Sequence, residues 1–283
     1  MEKQSGSVEQ HGYIKQPGQG IFAVRIRTIA GNLTSTQLRS LAALSEQYGN
    51  GQVHITTRQS VELHWVKEEQ LNSVFQAVAD LGLLLAVRGP RVLTVIACPG
   101  AGVCQKGIGH TVSLAAQLDD GLVGSKQPSK TKIALSGCPN SCAKPQINDI
   151  GLHGVIFPDA GEGCIGCKTC ETVCKSGAIS IETGAPQIIA ENCVGCGLCV
   201  RNCPKQVLRI RQQGYSLYIG GKIGRNPMLG IKLFSVIPEQ EAAVYIERVL
   251  GAYNRVAYEK ERIGDVLHRI GLDRFRQEVQ QHR

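Results

Sequence analysis

Twelve cysteines sit in 283 residues, and they divide into three sets of four with none left over. The first set is split. Ala97-Cys98-Pro-Gly-Ala-Gly-Val-Cys104 is answered by Ser-Gly-Cys138-Pro-Asn-Ser-Cys142, with 33 residues between Cys104 and Cys138. Each pair follows a short apolar stretch that reads as a strand, Val92 to Ala97 and Lys132 to Ser136. Cysteines at strand ends, in turns of Gly, Pro and Asn, can converge from two places in the chain on one metal centre. Four thiolates suit zinc or an iron–sulfur cluster. Disulfides or unpaired buried thiols are the other readings of such a set. The start of the chain has no apolar signal-peptide core, and no apolar run approaches the roughly 20 residues that cross a bilayer. The expectation is therefore a cytoplasmic protein, in a compartment that keeps thiols reduced and so favours metal over disulfides.

The other eight cysteines form two equal runs. Cys164-x2-Cys167-x2-Cys170-x3-Cys174 is followed by Cys193-x2-Cys196-x2-Cys199-x3-Cys203-Pro204. This duplicated spacing is the pattern of bacterial two-cluster ferredoxins, in which the fourth cysteine of each run ligates the other cluster. It predicts one [4Fe-4S] cluster on Cys164, Cys167, Cys170 and Cys203, and a second on Cys193, Cys196, Cys199 and Cys174. Lys175 stands where the pattern prefers Pro. A pair of zinc sites is the alternative, although zinc more often takes two well-separated C-x2-C pairs.

Around the cysteines the chain reads as α+β. Residues 1–20 are polar and rich in Gly and Gln, and are expected to be a flexible arm. Over 21–88 the order is β-α-β-β-α-β, a ferredoxin-like sandwich. Its strands are read at Ile21–Arg27, Gln52–Thr57, Val61–Trp65 and Leu83–Val87, with Val61, Leu63 and Trp65 alternating with Glu62 and His64 as in a half-buried strand. One helix runs from Thr34 to Tyr48, with Leu38, Leu41, Ala42 and Leu44 on its buried face. The other runs from Lys67 to Leu81, with Leu71, Val74, Phe75 and Val78 inward. Residues 89–158 and 212–283 form a second α+β domain. It holds a helix at Gly109–Leu118, strands at Asp149–Phe157 and Tyr215–Gly221, and terminal helices at Glu239–Tyr258 and Ile263–Val279. The composition changes abruptly at Pro158-Asp159-Ala160-Gly161, so 159–211 reads as an inserted module.

The C-x5-C and C-x3-C pairs resemble the cluster-binding signature of siroheme-dependent sulfite and nitrite reductases. With one copy of the sandwich-plus-cluster unit and an inserted ferredoxin, the chain is similar to the single-repeat type of that family. The resemblance implies a [4Fe-4S] cluster on Cys98, Cys104, Cys138 and Cys142, with Cys142 also bridging to the siroheme iron. It implies three [4Fe-4S] clusters in all, and six-electron reduction of sulfite to sulfide. Reduction of nitrite to ammonia by the same apparatus, or a siroheme-free electron-transfer protein, are the competing functions.

Ile55-Thr56-Thr57-Arg58-Gln59 resembles the stretch that supplies an arginine to the family's siroheme pocket. Arg91, with Arg88 as a competitor for its role, and Lys130 and Lys132 match the remaining basic residues, which would hold sulfite's oxygens and supply protons. Strand alternation puts Lys130 and Lys132 on one face. Four solvated surface charges are the bland reading. Tyr218-Ile-Gly-Gly221-Lys222-Ile-Gly224-Arg225-Asn226-Pro227 resembles the Gly-rich loop that contacts siroheme carboxylates, with Lys222, Arg225 and Asn226 as candidates. His54, His64, His110 and His153 read as structural.

The formal charge of +8 does not point to nucleic acid. The basic residues are dispersed among few aromatics, and three cubanes of charge about −2 would remove roughly six units. No flavin or nicotinamide motif is evident, so a separate donor protein is expected. One copy where relatives carry two suggests a homodimer or larger assembly.

Overall fold

The computed structural model describes residues 12–182 and 184–281. Its first unit is a sheet built on β1 (Tyr13–Lys15), β2 (Ile21–Arg27), β3 (Val53–Ile55), β4 (Val61–Lys67) and β5 (Leu84–Leu85), with helices α1 (Ser35–Tyr48) and α2 (Leu71–Asp80). The order β5-β2-β4-β3, all antiparallel, is the ferredoxin-like arrangement the sequence predicts. The expected arm differs over its second half. Tyr13–Lys15 pairs with Phe22–Val24 and extends the sheet, held by Arg88, whose Nη1 donates to Tyr13 O at 2.6 Å. Residues 1–11 of that arm lie outside the described residues.

Two inward faces also differ from expectation. On α1 the buried residues are Leu41 and Ser45, while Leu38 is exposed. Ser45 tolerates burial because its hydroxyl donates to Gln52 O at 2.9 Å. In β4 the alternation breaks at Trp65, which takes a φ of 65° beside a register shift, so Trp65 turns outward and Val66 goes in.

The second unit is a five-stranded sheet ordered β12-β11-β8-β7-β6. In chain order it comprises β6 (Ile96–Ala97), α3 (Thr111–Leu122), β7 (Ile133–Ser136), β8 (Ile150–Ala160), β11 (Leu208–Ile219), β12 (Ile231–Ile237), α6 (Ala242–Val256), α7 (Ile263–Ile270) and α8 (Leu272–Gln280). β6, β7 and β8 run parallel. The apolar faces of the helices close over the sheet in one core that includes Leu118, Leu135, Leu152, Tyr215, Ile246 and Phe275. The single terminal helix expected over Ile263–Val279 is two, because Gly271 leaves the helix at φ 83°.

Between β8 and β11 lie α4 (Thr169–Val173), the short strands β9 (Ile179–Ser180) and β10 (Gln187–Ile188), and α5 (Leu198–Asn202). The two five-residue helices follow left-handed residues of nearly equal geometry, Lys168 (φ 57°, ψ 7°) and Gly197 (φ 67°, ψ 7°), so the duplicated spacing folds into duplicated backbone. The stretch expected as a boundary is instead strand. β8 continues through Pro158, and Ala160 pairs with Leu208. A register shift after Ile210 follows the pairing opposite Pro158, where a proline cannot donate to the ladder. The 159–211 segment thus grows from a continuous antiparallel pair.

Candidate active site

The thiols of the first set come together at the C-terminal ends of β6 and β7. Cys98 N donates to Leu135 O, Gly137 N donates to Cys98 Sγ at 3.0 Å, and Ile108 N and Gly109 N share Gly137 O. The turn needs bare backbone: a Cβ on Gly154 would lie 2.4 Å from Gly137 O. Burial pushes the Cys138 thiol up, and Cys98, Cys104 and Cys142 each push it further, so all four lie within electrostatic reach. Four thiols gathered at one place fit a cationic iron core, which binds thiolates and displaces their protons. Within the set Cys104 and Cys142 are exposed and Cys138 is buried.

The remaining eight sort themselves in the same way. Burial raises Cys170, with Cys164 and Cys203 adding to it. Burial also pushes Cys199 up to about 11, with Cys196, Cys193 and Cys174 adding to it. The fourth thiol of each run therefore sits with the other run. Ala178 N donates to Cys174 Sγ at 3.2 Å and Val207 N to Cys203 Sγ at 3.3 Å, the same four-residue step in both halves. Cys167 meets Thr169 Oγ1 at 3.4 Å and Gly166 N donates to Cys164 Sγ at 3.4 Å. Among the described residues no three Cys, His, Asp or Glu side chains gather tightly enough for a single ion; the four ligands of a cubane sit on separate irons.

Arg58, Lys130 and Lys132 gather at the other end of the same strands, whereas Arg91 lines a separate cleft. Lys132 directly precedes β7, and Cys138 lies two residues past it. Six residues of extended chain put up to about 20 Å between the two groups. Burial lowers the Lys132 pKa, and Arg58, Arg262 and Lys130 lower it further, against one opposing carboxylate, Asp149. Asp149 is almost fully buried. It accepts from Lys132 N at 2.8 Å and bidentately from Arg262 Nε and Nη2, both at 2.7 Å. Neither Asp149 nor Arg262 stands out in the sequence, because the pair is 113 residues apart and belongs to no spaced motif.

Arg58 does more than face this group. Its Nη1 donates to Asn148 Oδ1 at 2.8 Å and its Nη2 to Thr94 O at 2.7 Å, while its buried Nε has no hydrogen-bond partner among the described residues. Burial lowers its pKa to about 10. Gln59 pairs with both the amide and the carbonyl of Ala97, at 2.9 and 2.7 Å. With the Arg27–Asp119 ion pair at 3.1 Å, these contacts clamp the ferredoxin-like unit onto the second one. Arg91 donates to Gly124 O at 2.7 Å and lines, with Arg27, a cleft of about 550 Å³. Lys130 lines a second cleft of about 680 Å³ between Pro90, Ser129 and Lys260.

Lys222 is bound to Asp265 at 2.6 Å, and Arg225 and Asn226 are exposed in the turn that the Lys222–Met228 backbone pair closes. Of the histidines, His153 is buried. Its Nδ1 lies 3.2 Å from Ser141 Oγ, one residue before Cys142, and its Nε2 lies 3.4 Å from Tyr218 OH.

Two family models match the chain. Residues 88–283 match the nitrite and sulphite reductase 4Fe-4S domain, and residues 13–81 match the nitrite/sulfite reductase ferredoxin-like half domain. The chain is 34% identical over 275 residues to the coenzyme F420-dependent sulfite reductase of Methanocaldococcus jannaschii, covering 96% of this chain and 44% of that protein. It is 30% identical over 184 residues to one subunit of the anaerobic sulfite reductase of Salmonella typhimurium, covering 58% and 52%. The chain thus spans about half the length of each of these two relatives. Its fold is similar to that of dissimilatory sulfite reductase I, with a TM-score of 0.73 and 20% identity over 92% of this chain and 69% of that one. In the described residues no helix is long and apolar enough to cross a membrane.

Proposed function

The chain belongs to the nitrite and sulphite reductase family, and on that premise we propose that it is a siroheme-dependent sulfite reductase of the single-repeat type, carrying three [4Fe-4S] clusters. The observation that carries this reading is the gathering of Cys98, Cys104, Cys138 and Cys142 at the C-terminal ends of β6 and β7, around a turn in which Gly137 N donates to Cys98 Sγ. Siroheme, when bound, supplies an iron at which sulfur can accept electrons, and Cys142 is the thiolate that would join it to the cubane. Lys222, Arg225 and Asn226 would meet its carboxylates, Lys222 by exchanging or sharing Asp265. Lys130 and Lys132 attract the anion and hold its oxygens. Lys132, its pKa lowered, gives up a proton more readily than an ordinary lysine, which suits a step in which each departing oxygen must leave as water.

The separation of these lysines from the thiols, by the length of β7, supports a two-fold homodimer. Arg58, Arg91, Lys130 and Lys132 of one protomer would then face the Cys142 of its partner. With the lysines at one end of β7 and the thiols at the other, a working site would be completed by the other protomer's end of the sheet. Electrons would come from a separate donor protein through the 159–211 module.

The test is anaerobic purification followed by a visible spectrum, iron and acid-labile sulfide analysis, and sulfide production from sulfite. Red-region bands of an isobacteriochlorin, with sulfide as product, are expected. No macrocycle, and none that can be loaded, refutes the enzyme. The family name covers nitrite as well, and turnover of the two anions side by side decides between them. For the dimer, a Cys142→Ser chain mixed with a Lys132→Ala chain should regain activity from one intact site; a confirmed heterodimer without any rescue refutes a shared site.

A further inference from the structure

The proposed reading has electrons reach the Cys98–Cys142 thiols from the 159–211 module, where either of two clusters could deliver them. The structure docks one half of the module on the centre. Ile156 of β8 packs in one apolar cluster with Cys138, Ile108 and Val200. Its amide donates to Gly195 O at 2.8 Å, and it bridges Cys196 in parallel. A Cβ on Gly197 would lie 3.0 Å from Ile156 Cβ, so the second cysteine run lies against β8 about as closely as backbone can. Arg201 closes the joint. Its Nη1 donates to Gln105 O at 3.0 Å and its Nη2 to Gly107 O at 3.2 Å, on the loop that follows Cys104. The first run faces outward instead: Cys167 is exposed, and Ile165 beside it is 61% exposed.

We propose that the set of Cys193, Cys196, Cys199 and Cys174 is the proximal relay to the Cys98–Cys142 centre, with Arg201 as the positioning residue that holds it against residues 104–107. The set of Cys164, Cys167, Cys170 and Cys203 takes electrons up from the donor. In each transfer the relay loses one electron and the centre gains one, the electron having come from an external one-electron reductant. No bond forms or breaks. This order rests on the proposed function, since it assumes clusters in both halves of the module.

The test uses the full chain, purified anaerobically, as Arg201→Ala and Arg201→Lys, with iron and acid-labile sulfide measured first. Metal content should match the parent. Loss of two charge-assisted hydrogen bonds should raise deuterium exchange at the Ile156 amide about tenfold in Arg201→Ala, with partial rescue by Arg201→Lys. After rapid mixing with dithionite, freeze-quenched EPR should show the ferredoxin-type clusters reduced at the parental rate while the Cys98–Cys142 centre lags. A Cys196→Ser chain should alter the spin–spin splitting on the centre's signal, and a Cys167→Ser chain should leave it unchanged. With all clusters in place, parental exchange at Ile156 and no lag overturn the inference, as does a splitting that answers to Cys167→Ser alone. A parent chain with iron for the Cys98–Cys142 centre only sinks the underlying reading instead.

Discussion

The Arg262–Asp149 pair offers the sharpest quantitative test, because one perturbation of known sign acts on both stability and chemistry. The side chains are 14% and 2% exposed, and both hydrogen bonds are 2.7 Å. Arg262→Met strands a carboxylate whose remaining neutral donor is Lys132 N. Removing one partner of such a pair costs about 3–5 kcal/mol. At about 2 °C per kcal/mol for a chain of this size, the transition should fall by roughly 6–10 °C. Asp149→Asn strands the opposite charge and should cost a similar amount. The double variant should lose at least about 2 kcal/mol less than the sum of the singles, since neither buried charge is left alone. Differential scanning at one scan rate and equal iron content reads all three, because bound clusters make the transition other than two-state. The chemical readout separates the singles. Asp149 is the carboxylate that supports the Lys132 proton and Arg262 is one of the cations that oppose it. Asp149→Asn should therefore lower the pH at which Lys132 becomes reactive to acylation, and Arg262→Met should raise it. Additive stabilities, or a Lys132 profile that moves the same way in both singles, would refute this account of the group.

Three further outcomes follow from the same geometry. His153 is held at a pKa of about 4 by burial and Lys232, below its ordinary 6.5, so protons favour the unfolded chain as pH falls through that window. Between pH 7 and 5 the parent should lose about 2 kcal/mol more stability than His153→Gln, measured by denaturant midpoints at matched cluster content. Lys132→Met should stabilise the protein at neutral pH, where the protonated amine is disfavoured in the native state, and the gain should shrink as pH rises through the depressed pKa toward 10.5; a gain that grows with pH contradicts the direction of the shift. Gly154→Ala drives a Cβ into Gly137 O and displaces the amide that holds Cys98 Sγ. On the proposed reading of three clusters, it should cost about a third of the iron while the eight thiols of 164–203 keep theirs.

What was legible in the sequence is what depends on short spacing. Each run of four cysteines is a local device, and a duplicated interval of three, three and four residues leaves few backbone paths; the two short helices, their left-handed leading residues and the exchange of Cys174 and Cys203 between halves follow from it. The β-α-β-β-α-β order was legible for the same reason, since alternation and helical periodicity are read within one element. The errors fall where one residue departs from its element's period. Trp65 breaks the alternation by taking a positive φ, Ser45 replaces Leu38 inside because a carbonyl is in reach of its hydroxyl, and Gly271 ends a helix that its apolar stripe would continue.

Long-range pairing is the part that no spacing encodes. Arg58 matched a family stretch by its neighbours, yet its guanidinium also ties the first unit to Asn148 and Thr94 of the second. Position in a motif speaks to which residue is present, and the fold decides how many acceptors that residue can satisfy at once. The same holds at Asp149. A lone aspartate at the start of a strand reads as a turn residue, and only the return of the chain through α6 brings Arg262 to it. Once there, the pair sets the field in which Lys132 sits, two cations and a lysine against one carboxylate. The net positive charge left at that end of the sheet is what an anion would meet, and it arises because Asp149 is a single charge set against Arg58, Arg262 and Lys132 rather than because any one lysine is unusual.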